Sequence, residues 1–468
     1  MDTSTFTDAS ARFAAGDVTA PHLILVLERA RPLAGGACHS LANIDRVTIG
    51  RGDARAARRV VEDQRTALKL TVPDKRMSSS HAVLDRHERG WRLRDCASTN
   101  GSRINRQRVD GAAVQDGDIL ELGQTFFRLR VGMRTPVDAV GDVDAAELRD
   151  LEASLGTVLP WLARDLRTVA RVARSDVSVL LLGETGTGKE VLARAIHAES
   201  RRRGPFVAVN CGALPATLVE SLLFGHKKGA FSGAAHDEVG FVRAAQGGTL
   251  FLDEIGDLAK PAQSVLLRVL QEREVIPVGT TREIATDVRI IAATHRPLQE
   301  LVDAGDFRQD LFARLAAFTY TIPALRDRID DVGVLASSVL RKVAGARATP
   351  LQLTAGAVYT LLEQRWPLNV RELEQRFKTG VVLASDGRID LVPGPAAVGG
   401  HGAVTPPAPP VPSPILSAED QALHTQLVSS LREHHGNVTR VGEAMGKARS
   451  QIQRWVRRLG IDVRQFRA

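Results

Sequence analysis

At 468 residues the chain exceeds what one ordinary hydrophobic core serves, and a typical domain of roughly 150 residues gives about three domains. With 44% hydrophobic and 25% charged residues it reads as globular; no stretch nears the ~18 apolar residues of a membrane span, and residues 1–19 lack the basic start and apolar run of a secretory signal, so a cytoplasmic location and no membrane partner are expected. The 62 basic and 54 acidic residues leave a net charge of +8, which permits polyanion binding, while three cysteines (Cys38, Cys96, Cys211) without paired spacing exclude a disulfide framework or a zinc cluster.

After a flexible N-terminal tail (residues 1–22), the segment 23–132 reads as short alternating runs such as Trp91-Arg92-Leu93-Arg94 and Phe126-Phe127-Arg128-Leu129-Arg130. Turns carrying Gly and Asn part them, the pattern of an all-β sandwich. Ile49-Gly50-Arg51, Ser78-Ser79-Ser80-His81 and Ser98-Thr99-Asn100-Gly101 follow in an order that resembles forkhead-associated (FHA) domains. That resemblance implies phosphothreonine binding, with Arg51 and Ser78 on the phosphate, Thr99 assisting, Asn100 on the peptide backbone and His81 bracing the loop. An arginine and a hydroxyl are charge-assisted donors suited to a dianion. Two departures are Ser79, where Arg or Asn is usual, and a long Arg-rich span from Arg51 to Asp74. Taken singly, each motif is an ordinary β-turn with a solvated face, so a purely structural sandwich is the alternative. No receiver-domain pattern precedes the next domain, and the expected signal is a phosphothreonine-containing protein, a Ser/Thr kinase or its substrate.

A linker (133–146) leads into residues 147–392, where buried strand runs alternate with helical patterns to about residue 325, an α/β parallel sheet, and only helices follow. Gly183-Glu184-Thr185-Gly186-Thr187-Gly188-Lys189 follows the apolar strand Val177 to Leu182 and opens a helix. Glycines let backbone N–H groups crowd a β-phosphate, the helix N-terminus adds its positive end, and Lys189 places a charge on the β- and γ-phosphates. Glu190 stands where Ser or Thr is usual, leaving water or Thr187 to complete the coordination of Mg²⁺. Some sixty residues on, Gly248-Thr249-Leu250-Phe251-Leu252-Asp253-Glu254 is a buried strand ending in two carboxylates. Asp253 suits the Mg²⁺ shell, through water, and Glu254 the attacking water; ATP and Mg²⁺ are the expected cofactors. Two acids at a strand end are otherwise only a solvated turn.

The ordered set from Gly183 to Arg371 resembles the central AAA+ domain of sigma-54-dependent, NtrC-like enhancer-binding proteins. It includes Phe206-Val207-Ala208-Val209-Asn210-Cys211, Phe307-Arg308-Gln309-Asp310-Leu311-Phe312-Ala313-Arg314-Leu315 and Trp366-Pro367-Leu368-Asn369-Val370-Arg371. The resemblance implies an ATPase in which Asn210 holds Glu254 until the γ-phosphate is sensed, Thr294 is the first sensor and Arg371 the second. His295 replaces the family's neighbouring asparagine. Arg308 and Arg314 resemble arginine fingers given in trans, which implies a homo-hexameric ring. Gly229-Ala230-Phe231-Ser232-Gly233-Ala234 resembles the loop that touches sigma-54, with Ser232 in place of threonine and Phe231 as an exposed apolar tip.

Residues 393–416 form a Pro- and Gly-rich linker, and 417–468 read as helical and basic, with seven Lys or Arg and one Asp between Lys447 and Arg467. Gly436 to Trp455 resembles a Fis-type helix-turn-helix, with helices over about Val438 to Ala444 and Arg449 to Leu459 and Gly446 at the turn. Arg449, Ser450, Gln451, Gln453 and Arg454 would face bases and Arg457 a phosphate of enhancer double-stranded DNA. A basic amphipathic helix is otherwise a solvated face.

The expected fold is therefore multidomain: an all-β FHA sandwich, an α/β AAA+ P-loop ATPase with a helical lid, and an all-α helix-turn-helix. The expected function is a sigma-54-dependent activator that hydrolyses ATP as a ring to remodel sigma-54 RNA polymerase under phosphothreonine control. Alternatives are a DNA-binding regulator whose ATP site only sets oligomeric state, and a remodeller outside transcription.

Overall fold

The computed structural model describes residues 17–62, 64–88, 90–215, 217–345 and 351–391, and part of 426–455. Two compact units are present, residues 1–394 and 395–468.

The N-terminal part is a sandwich of a seven-stranded and a six-stranded sheet. It is wider than the expected 23–132. Its first strand, Asp17–Glu28, begins inside the expected tail and pairs antiparallel with Thr125–Pro136, while Asp142–Asp144 pairs with Ala37–Ser40 inside the expected linker. The long Arg-rich span is a hairpin, Ala56–Glu62 with Arg65–Val72. Its mostly exposed outer strand bears Arg58 and Arg59, charges that discourage pairing with another sheet edge. Leu23, Leu25, Val47, Leu84, Trp91, Leu120, Phe127 and Leu129 fill the space between the sheets.

The main sheet of the α/β part has five strands, all paired in parallel, in the order Phe206–Asn210, Thr249–Asp253, Arg289–Thr294, Val179–Leu182, Phe318–Thr321. Helix Pro160–Ala173, begun by a proline whose missing N–H costs nothing at that position, covers it on one side. The lid comprises helices Val332–Ala344, Ala355–Glu363 and Asn369–Leu383 and a two-residue ladder of Gln352–Leu353 with Arg388–Ile389.

The sandwich does not stand apart. Ile24 and Val26 alternate with Leu23 and Leu25, and they share a core with Leu155, Leu335 and Tyr359 of the α/β part and lid. A strand buried on both faces reads as one unbroken apolar run, as here. The approach is close: a Cβ on Gly333 would lie 1.7 Å from the Val26 carbonyl oxygen. Phe126 meets Tyr359 edge to face, at 5.4 Å between ring centres, and the Leu353 N–H donates to the Arg29 carbonyl (2.9 Å).

Polar groups pin the same junction. Asp330 pairs with Arg128 (3.0 Å) and Arg130 (3.5 Å) of the sandwich. Next to it Asp331, fully buried, accepts from the Val158 N–H (2.9 Å), while the equally buried Arg328 donates to the Leu155 carbonyl (2.8 Å). Burial pushes the Asp331 carboxyl up to about 7, against the pull of Arg328. Because the folded state holds this proton more tightly than the unfolded chain, whose value is 3.8, the stability it gives is complete below about pH 4 and lost as pH rises through about 7. Urea unfolding at pH 5 and pH 8 therefore shows a fall in stability for the native protein that Asp331→Asn, which keeps an acceptor for Val158, reduces. An identical fall in both proteins would contradict the assignment.

Candidate functional site

The parallel sheet gathers its chemistry at the C-terminal edge of the strands, where open α/β sheets bind ligands. Leu182 lies in register with Thr294, and Asn210 with Asp253, so the ends of four neighbouring strands bring the loop after Leu182, Asp253-Glu254 and Thr294-His295 to one edge. The loop turns on Gly183, Gly186 and Gly188, with φ of +151°, +79° and +105°. Gly188 then begins helix Lys189–Glu199, directing that helix's free N–H groups into the loop.

Lys189 is buried and its ammonium donates to the carbonyls of Gly183 (3.0 Å) and Glu184 (3.3 Å). Burial lowers its pKa, opposed by the charges of Glu254 and Asp253, while Arg371 lowers it further. Burial raises that of Asp253, as does the neighbouring Glu254 carboxylate. The hydroxyl of Thr187 is tied to the Glu184 carbonyl (2.9 Å), and Glu190 is spent on an exposed pair with Arg194 (2.7 Å).

Glu254 has a left-handed backbone (φ +50°), and its carboxylate contacts His295 Nδ1 at 2.7 Å and accepts, at 3.4 Å, from the His295 N–H. Asn210 instead caps the turn Cys211–Ala213, its Oδ1 accepting from the Ala213 N–H (3.2 Å). The residue set down from the sequence only as a departure thus holds Glu254. Buried Thr294 accepts from the Arg296 N–H (3.0 Å). Arg308 pairs with Asp310 (2.7 Å), and Arg314 is exposed. Among the described residues no hydrogen bond or ion pair ties either arginine to the loop or to Glu254.

The lid sits on this loop. The Val370 N–H donates to the Gly186 carbonyl (3.0 Å), and a Cβ on Gly186 would lie 2.2 Å from the Leu368 oxygen and 2.9 Å from the Arg371 Cβ. Asn369, fully buried, donates to the Thr185 carbonyl (3.0 Å) and the Glu184 carboxylate (3.2 Å) and accepts from the Leu325 N–H (2.7 Å). Arg326 grips Glu184 (2.5 Å) and lowers the pKa of its carboxyl. Neither Asn369 nor Arg326 received a role from the sequence; the positive φ of Asn369 (+53°), a conformation asparagine tolerates, becomes visible only in the fold.

The loop 229–234 is closed by Gly229 N–H to Ala234 O (2.9 Å) and Ala234 N–H to Phe231 O (3.1 Å), with Gly229 and Gly233 at positive φ. Phe231, expected at an exposed tip, is half-buried against His226, ring centres 5.0 Å apart. A phenyl ring resting on a neighbour hides apolar surface that water would otherwise meet.

In the sandwich, three loops bring Arg51, Ser78, Thr99 and Asn100 together. The Arg51 N–H donates to the Ser78 carbonyl (2.9 Å), Ser78 Oγ accepts from the Thr99 N–H (3.2 Å), and Asn100 donates to the Arg76 carbonyl (2.7 Å). Only glycine fits at position 50, where a Cβ would lie 1.9 Å from the Ser79 carbonyl oxygen. Buried His81 accepts the Ser78 N–H on Nδ1 (3.1 Å), and burial lowers its pKa. In the C-terminal unit the helix Val438–Ala444 is capped by Asn437, and Gly446 has φ +63°. Gln451 is exposed, whereas Arg449, Ser450, Gln453, Arg454 and Arg457 lie outside the described residues.

Comparison with known proteins agrees with this layout. Residues 47–123 match the FHA domain, 159–321 the sigma-54 interaction domain and 326–402 the AAA+ ATPase lid domain. The chain belongs to the family of sigma-54-dependent transcriptional regulators, and it is an AAA+ ATPase. It is 42% identical over 311 residues to transcriptional regulatory protein GlrR of Escherichia coli (strain K12), spanning 66% of this chain and 68% of that one. To the Nif-specific regulatory protein of Azotobacter vinelandii it is 40% identical over 310 residues, spanning 66% and 59%. A crystal structure of NtrX from Brucella abortus is similar at 31% identity and a TM-score of 0.48, spanning 67% of this chain and 70% of that one.

Asn369→Ala removes three hydrogen bonds from a buried site and favours a different backbone region. It is expected to cost roughly 1–3 kcal/mol of stability in urea unfolding and to raise KM for ATP several-fold. Unchanged stability and KM would remove the lid contact from the account.

Proposed function

We propose that the protein activates transcription by hydrolysing ATP, as a homo-hexameric ring, to remodel the closed complex of sigma-54 RNA polymerase. The observation that carries this reading is the continuity between the candidate catalytic edge and the loop 229–234. From Glu254 the chain runs through helix Lys260–Glu272 to Val278, whose carbonyl accepts from the Lys227 N–H (3.0 Å) and whose N–H donates to the Gly225 carbonyl (2.9 Å). A shift at Glu254 thus has a short mechanical route to Phe231.

In this reading Gly183 to Glu190 cradle the triphosphate and Lys189 exchanges its loop carbonyls for phosphate oxygens. Glu254, released from His295, takes a proton from the water attacking the γ-phosphorus as the bond to the ADP oxygen breaks. Asp253 suits Mg²⁺ held through water, since two adjacent carboxylates, one raised by burial and the other's charge, gain from a divalent cation. Mg²⁺ bound with ATP neutralises phosphate charge. Thr294 and Arg371 sense the nucleotide, and Asn210 lies one strand away. Arg308 and Arg314, unattached to their own subunit's loop, serve as fingers for a neighbour's γ-phosphate, which makes the ring necessary for turnover. Phosphothreonine bound at Arg51, Ser78, Thr99 and Asn100 regulates the ring, and the basic C-terminal segment tethers it to enhancer DNA.

The test is open-complex formation by sigma-54 polymerase with ATP. Glu254→Gln is expected to bind ATP and lose at least about 100-fold in turnover. Phe231→Ala is expected to hydrolyse ATP and open no promoter. Hydrolysis by the native protein without promoter opening would remove the sigma-54 assignment, and ATP binding without turnover would favour a regulator in which nucleotide sets only the oligomeric state.

A further inference from the structure

Between sandwich and lid lies a cleft of about 680 Å³ that bears five arginines, Arg29, Arg76, Arg103 and Arg106 from the sandwich and Arg388 from the lid, against one carboxylate, Glu121. Glu121 is already engaged, accepting from the Tyr359 hydroxyl (3.2 Å) and lying 3.8 Å from Arg103, and Arg106 is paired with Glu363 (2.7 Å). Among the described residues no carboxylate lies within ion-pairing distance of Arg29, Arg76 or Arg388. Cations gathered in a concave site without counter-ions repel one another and raise the local concentration of anions.

One wall of this cleft belongs to the phosphothreonine loops. Asn100 lines it and is bonded to the Arg76 carbonyl, and its neighbour Thr99 is bonded to Ser78. A peptide whose phosphate sits among Arg51, Ser78 and Thr99 therefore has its next residues at the mouth of the cleft. The opposite wall, Gln352, Thr354 and Arg388, is lid. Among the described residues no aromatic side chain lines the cleft, so they offer bases nothing to stack on, and its volume suits a short extended peptide.

We infer that the sandwich and the lid form one composite site for a partner protein's phosphothreonine segment that carries acidic or further phosphorylated residues beside the phosphothreonine. Arg76 and Arg103 meet those flanking charges from one wall and Arg388 from the other. This rests on the phosphothreonine reading of the FHA domain and adds the second half of its ligand. It also makes the lid part of the receptor: the strand bearing Arg388 follows helix Asn369–Leu383, fifteen residues or about 22 Å long, whose first residues rest on the phosphate loop.

Fluorescence anisotropy with the full-length protein tests this, using two phosphothreonine peptides that differ only in having Asp and Glu, or Ala, on both flanks. The acid-flanked peptide is expected to bind at least about tenfold more tightly, since each charge-assisted pair is stronger than a neutral one. Arg388→Glu and Arg388→Ala, checked for an unchanged melting temperature, are expected to erase most of that preference. Arg51→Ala is expected to weaken both peptides. Equal affinity for the two peptides, or a preference that survives both Arg388 variants, overturns the composite site while leaving the FHA reading intact. Failure of both peptides to bind removes the phosphothreonine reading itself. Arginine variants that weaken binding of duplex DNA and not of peptide would reassign the cleft to nucleic acid.

Discussion

The lid rests on the phosphate loop with no side chain between them at Gly186, and the rest of the structure follows from that contact. The Leu368 carbonyl would be 2.2 Å from any Cβ there, and the Val370 N–H bonds the Gly186 carbonyl. Asn369 and Arg326 fasten the same loop through Thr185 and Glu184. A nucleotide entering between the glycines must therefore meet both the strand edge and the lid. Because packed elements shift as units rather than deform, the lid's position and the loop's occupancy are coupled.

That coupling reaches in two directions. Outward through the lid it meets the sandwich, where Gly333 lets two backbones touch and Asp330 joins Arg128 and Arg130. Inward it passes from Glu254, held by His295, through helix Lys260–Glu272 to the segment that pins the loop of Phe231. The phenyl ring folded on His226 and the carboxylate folded on His295 are both restrained groups. In the proposed cycle each is released at a cost that bound nucleotide offsets, as binding energy shifts an existing equilibrium.

How much was legible in the sequence depended on the distance over which each feature is decided. The phosphate loop and the Asp253-Glu254 pair were readable because their chemistry needs particular residues at short spacing. The sandwich was readable from alternation, and the helix at Val438–Ala444 from the resemblance of its segment to a helix-turn-helix. The run Leu23-Ile24-Leu25-Val26-Leu27 was harder. Strand reading assigns it one buried face, whereas the second face is covered by the lid some three hundred residues on. Residues set down as tail and linker became strands for the same reason, since Asp17 and Asp142 find their partners far along the chain. His295 stood out only as a mismatch, because its meaning lies in a contact 41 residues back. Phe231 was expected to be exposed, and nothing in its own segment reveals the ring of His226 beside it.

In the proposed cycle, nucleotide at the strand edge frees the loop of Phe231. Hydrogen–deuterium exchange over residues 229–234 of the full-length protein, with and without an ADP–aluminium fluoride complex, measures it directly. Faster exchange of the Gly229 and Ala234 amides when the site is filled is the result expected. Equal protection in both states, with the nucleotide demonstrably bound, would contradict it.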